Sequence, residues 1–107
     1  MTTDQEIADA RAKRAAIAPK LSELTADVLF GDIWKRTELS PRERSLITVA
    51  SVITLQNDEA IHAHLSHALR NGLTIEELGE VITHIAFYAG FPATIPALNS
   101  LVELADG

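Results

Sequence analysis

Apolar positions along the chain recur at intervals of three and four residues rather than two, and helix punctuation falls in the gaps between the runs. Over residues 4–18 strong helix formers surround Ile7 and Ile17, a thin stripe that makes a helix only marginal without a neighbour. Pro19 breaks that helix or opens the next at its first turn. Leu21, Leu24, Val28 and Phe30 continue near helical spacing up to Gly31, and residues 32–36 form a short connector holding the sole tryptophan, Trp34. Ser40-Pro41-Arg42-Glu43 is a capping box with proline at the first helical position, and it starts a helix over residues 42–56. Asn57 caps a helix from Asp58 that Asn71-Gly72 stops, with Gly72 in the left-handed conformation. Thr74 and Glu77 make a second capping box, opening residues 75–89, with Leu78, Val81, Ile82, Ile85 and Ala86 as the apolar face. Gly90 ends that run, and Phe91-Pro92-Ala93 opens a last helix through Leu104, with Ile95, Leu98, Leu101 and Val102 inward. The fold class is all-α, a single small domain of five to six helices.

The segment after Ser40 carries more than a cap. Between Leu46 and Leu55 apolar residues point to nearly every side, interrupted by Ser45, Thr48, Ser51 and Thr54 at every third position. Such hydroxyls bond back to their own helix or admit a close neighbour. A helix apolar all round must be buried all round. A chain of 107 residues has little surface to spare for that, so a second subunit is expected to cover one side. The β-branched residues Ile47, Val49, Val52 and Ile53 favour a strand, but the cap and the length favour helix.

Composition narrows the function classes. The net charge is −6 without a Lys/Arg block, which argues against nucleic acid as a partner. The absence of cysteine removes disulfides, thiolate metal sites and thiol redox chemistry. The polar N-terminal segment does not read as a secretory signal, and no apolar run reaches the roughly 18–20 residues of a membrane span. A soluble cytoplasmic protein without a membrane partner is the expectation.

Three of the four histidines lie in the helix from Asp58. At 100° per residue, His62 and His64 are about 160° apart around the axis and cannot share a ligand. His64 and His67 do share a face, but no third ligand stands at zinc-site spacing, so no metal is expected. Ile61, Leu65 and Ala68 place His64 on or beside the apolar side, whereas His62 falls on the solvated side. His64 is thus either a core histidine bonded to a backbone carbonyl or a general acid or base. His67 reads as a surface residue favouring the helix C-terminus. His84 can touch Tyr88 one turn on, with core packing as its simplest role. Arg44 either snorkels at the start of its helix or grips a substrate carboxylate. Trp34 is a packing anchor or a pocket wall.

The runs WKRTELSPRERSLITVA (residues 34–50), His64 ahead of NG-x-T-x-EE (residues 71–77) and FYAGFPA (residues 87–93) occur in order. Together they resemble the carboxymuconolactone decarboxylase family of the alkyl-hydroperoxidase D-like superfamily, over residues 28–104. The resemblance implies a small all-α protomer whose helices pack across subunits in a homo-oligomer, a trimer or a hexamer built as a trimer of dimers, with residues 1–20 a peripheral helix. Thiol-dependent superfamily members carry CxxC where this chain has Asn57 and Ala60, so the resemblance is to the branch without peroxidase chemistry. It implies a cofactor-independent lyase that removes CO₂ from a small carboxylated lactone or related ring in aromatic catabolism. His64 matches the family's histidine and is the candidate acid or oxyanion donor; Arg44 and Arg36 are candidates for the substrate carboxylate, Tyr88 for a second donor and Trp34 for a substrate-facing wall. Three positions depart from the pattern. Ala60 stands where the family has Glu, and His62 and Ser66 stand where it has Arg. A non-catalytic or ligand-binding oligomer on the same scaffold is the alternative.

Overall fold

The computed structural model describes residues 4–107, and residues 1–3 of the expected N-terminal segment lie outside the described residues. Six α-helices occur and no strand, among the described residues. They fall into two compact units, one ending at Glu38 and the other covering Leu39–Gly107.

In the first unit α1 (Asp4–Ile17) packs on α2 (Pro19–Leu24), whose first turn begins with Pro19. The thin stripe on α1 behaves unevenly, since Ile7 is buried and Ile17 is 86% exposed. A π-helical turn, Thr25–Phe30, continues α2 where the sequence reads as one regular helix. A 3-10 turn, Ile33–Lys35, then carries Trp34, whose ring stacks on Phe30 with centroids 6.0 Å apart.

The second unit is a bundle of α3 (Pro41–Leu55), α4 (Asp58–Arg70), α5 (Ile75–Ala89) and α6 (Phe91–Asp106). Its boundaries are the ones the local chemistry dictates. Ser40 Oγ accepts from the Glu43 N–H at 3.1 Å while the Glu43 carboxylate accepts from the Ser40 N–H at 2.8 Å. Thr74 and Glu77 repeat the exchange, both bonds at 3.0 Å, and Asn57 Oδ1 accepts from the Ala60 N–H at 3.0 Å. Each such cap satisfies donors that the first turn of a helix leaves free. At the end of α4, Gly72 turns with φ +99°, which lets the Leu73 N–H reach the Ala68 carbonyl at 3.1 Å and the Gly72 N–H reach that of Leu69 at 3.2 Å. This paired closure also drives Leu73 into the core.

Val49 and Ile53 of α3, Ile61 and Leu65 of α4 and Leu78 of α5 have no exposed surface. Each contributes about 1.5–3 kcal/mol of apolar burial. On α5 the expected face is the observed one, with Leu78, Ile82 and Ala86 buried and Val81 and Ile85 packed against the same cluster. On α6 the phase differs. Ala93, Thr94, Ala97 and Leu101 face inward, and Ile95, Leu98 and Val102 are exposed. The small side chains let α6 lie close on α4 and α5, and that close approach turns its larger apolar residues outward. With Phe87 and Phe91, whose rings meet edge to face at 5.6 Å, they form an apolar outer surface. On α3 the outer side shows Ile47 and Leu55 exposed, and its hydroxyls are turned onto the helix itself. Thr48, Ser51 and Thr54 donate to the carbonyls of Arg44, Ile47 and Ala50 at 2.8–2.9 Å. No helix of the described residues is long and apolar enough to cross a membrane.

Candidate functional site

The residues singled out in the sequence do not share one unit. Trp34 and Arg36 stand in the first, where the exposed Arg36 guanidinium lies 3.5 Å from the Glu38 carboxylate. Arg44, His64 and Tyr88 stand in the second. Arg44 projects from the second turn of α3 and is half-buried, with its Nε shut off from solvent, so this guanidinium is held by the fold and is not a freely solvated surface charge. His64 is half-buried near the middle of α4, flanked in sequence by the fully buried Ile61 and Leu65. Tyr88 is 78% exposed at the last turn of α5, and its ring lies 5.0 Å from that of His84. The His84–Tyr88 contact is therefore present, but His84 is an exposed residue and not part of the core.

The other histidines also shift from the positions that helical phase alone gives them. His62 is half-buried where a solvated side was expected, and His67 is half-buried where a surface residue was expected. His67 belongs to a polar contact between helices that the sequence does not announce. The Asn71 side-chain amide, at the C-cap of α4, donates to Ser45 Oγ at 2.9 Å and approaches His67 Nε2 at 3.4 Å. Ser45 is 2% exposed, so its hydroxyl needs such a partner. At the position departing from the family pattern, Ser66 Oγ accepts from Arg70 Nη1 at 3.0 Å, which brings a guanidinium back to that turn from the next one. No group of three His, Cys, Asp or Glu is placed to hold a metal ion, among the described residues.

A groove of about 460 Å³ runs between α3 and α5, and none of the sequence candidates lines it. Leu46, Ala50, Leu73, Val81 and Ile85 make its floor; Arg42, Glu77, Glu80 and His84 make its rim. Arg42, near the start of α3, bonds to Glu77, near the start of α5. Both partners of that pair are partly exposed, so solvent screens it and it adds little stability. The Thr74 backbone N–H is the main reason the Glu77 carboxyl is held below its ordinary pKa, followed by Arg42. The Ser40 backbone N–H does the same for Glu43.

The carboxymuconolactone decarboxylase family model matches residues 19–103. Among characterised relatives, the chain is 36% identical over 75 residues to 4-carboxymuconolactone decarboxylase of Acinetobacter baylyi, covering 70% of this chain and 56% of that one. It is 33% identical over 76 residues to nitrosuccinic acid decarboxylase of Metarhizium robertsii, covering 71% and 53%. An uncharacterized protein of Methanocaldococcus jannaschii is 28% identical over 87 residues, covering 81% and 80%. The chain thus spans about half the length of the two decarboxylases it matches. With the matched region running from the start of α2 into α6, the chain belongs to the carboxymuconolactone decarboxylase family.

Proposed function

We propose that this chain is the subunit of a homo-oligomeric, cofactor-independent carboxy-lyase that acts on a small carboxylic acid bearing its own electron acceptor. The observation that carries this reading is the family membership, joined by two relatives whose names both describe decarboxylases. A conjugated lactone and a nitro group, the features in those two substrate names, are each able to take up the electron pair left by departing CO₂. A substrate of this class needs no cofactor for that purpose. The bond from carbon to the carboxyl group breaks, the pair moves onto the acceptor oxygen, and one proton is then delivered to carbon.

Three tasks fall to the protein: placing a carboxylate, stabilising the developing oxyanion and supplying a proton. Arg44, fixed and half-buried, suits the first through a two-pronged contact. His64, half-buried on α4, suits the proton donor because an imidazole nitrogen can both hold and deliver a proton. Tyr88 is a second donor in the same unit. The exposed apolar residues of α5 and α6 support a second subunit against this side of the bundle. The cysteine-free sequence leaves no thiol for peroxidase chemistry.

The test is CO₂ release from 4-carboxymuconolactone and from nitrosuccinic acid by wild-type protein and by His64→Ala. Catalysis of either that the variant loses, with an unchanged oligomer and melting temperature, is the expected result. Release from neither substrate above the uncatalysed rate would overturn the lyase reading and leave the non-catalytic or ligand-binding scaffold.

A further inference from the structure

The groove between α3 and α5 has a charge pattern of its own, independent of the lyase reading because none of the residues assigned to that chemistry lines it. On its rim Arg42 and Glu77 neutralise each other, and Glu77 is further engaged by the Thr74 N–H. One turn along α5, Glu80 has neither a hydrogen bond nor an ion pair among the described residues. It is an uncompensated carboxylate above an apolar floor. Another turn on, His84 offers a ring nitrogen as a second acceptor when the imidazole is neutral.

An apolar ligand with a carboxylate would meet Glu80 and Glu77 in this groove and find Arg42 already occupied. An apolar ligand with one ammonium group meets the opposite situation. We propose that the α3/α5 groove is a binding site for small amphiphilic amines. The ring or chain lies on Leu46, Ala50, Val81 and Ile85, and the ammonium donates to Glu80 and His84. The volume, about 460 Å³, is that of sites for small organic ligands. Charge complementarity with the exposed Glu80 sets the selectivity, and the floor supplies most of the affinity.

The experiment titrates the protein with 2-naphthylmethylamine, 2-naphthalenemethanol and 2-naphthoate, following amide shifts by NMR and heat by calorimetry. The amine should saturate with shifts confined to α3, α5 and Leu73, and bind roughly fivefold or more tighter than the acid. Glu80→Gln, a surface change that leaves the melting temperature alone, should bring the amine down to the affinity of the alcohol and leave the alcohol unchanged. Acid binding as tight as the amine, an amine preference that survives Glu80→Gln, or shifts lying elsewhere would each overturn the proposal. So would the absence of saturable binding at millimolar amine, which would mark the groove as a surface covered in the assembly.

Discussion

Asn71 Nδ2 donates to Ser45 Oγ at 2.9 Å, tying the C-cap of α4 to the second turn of α3 across 26 residues of sequence. The same amide nitrogen lies 3.4 Å from His67 Nε2. Ser45→Ala should cost about 1–2 kcal/mol in urea unfolding, because the amide loses its buried acceptor. Asn71→Ala leaves the Ser45 hydroxyl without its donor and should cost a similar amount. The double variant should fall short of the sum, and strict additivity would mean that the bond contributes nothing.

Acid should loosen both capping boxes. The carboxyls of Glu43 and Glu77 titrate below their ordinary value in the folded chain, chiefly because the backbone N–H groups of Ser40 and Thr74 bond to the ionised form. A lowered folded pKa gives stability that is fully present above the ordinary carboxylate pKa and is lost as pH falls through the folded one. Melting temperature followed from neutral to strongly acid pH should therefore drop less for the double variant Glu43→Gln, Glu77→Gln than for the wild type. Parallel curves would show that the boxes carry no proton linkage.

The two glycines of this region predict opposite outcomes. Gly72 turns at φ +99°, where a Cβ is strained, so Gly72→Ala should destabilise by about 1–2 kcal/mol. Gly79 lies within α5, and a Cβ built on it meets nothing within 4 Å. Gly79→Ala should stabilise the chain by roughly 0.5–1 kcal/mol, through the smaller backbone freedom of the unfolded alanine. Chemical denaturation of both variants reads the two signs directly.

The outer surface of α5 and α6 predicts an assembly. Phe87 is 74% exposed and Ile95 52%, on the side the protomer leaves uncovered. Phe87→Ser with Ile95→Glu should convert the oligomer to protomers by light scattering while the helical circular dichroism stays. A wild type that is already a monomer would remove the role assigned to this surface.

How much of this is legible in the sequence depends on how local its cause is. The caps at Ser40, Asn57 and Thr74 and the stop at Gly72 each rest on side chains within a few residues of one another, and the sequence names all of them. The α5 face is legible too, because its apolar residues are the ones its own chain covers. On α6 periodicity marks two apolar sides, and choosing Ala93, Ala97 and Leu101 over Ile95, Leu98 and Val102 takes the close approach of neighbouring helices, which no single helix encodes. The Asn71–Ser45 bond, the half-burial of His67 and the place of His84 on a groove rim are likewise products of helices meeting. Arg44 and His64 are legible from their helix positions only as open alternatives, packing or chemistry, and the family pattern is what implies a role for each.

Because Arg42 meets Glu77, α3 and α5 begin at the same corner of the bundle, and the partial positive charge at the start of each helix lies against that of the other. Glu43, Glu76 and Glu77 stand in those two first turns and offset both ends at once. The corner is thus balanced by exposed charges. Its cohesion is the part of this fold that responds to ionic strength.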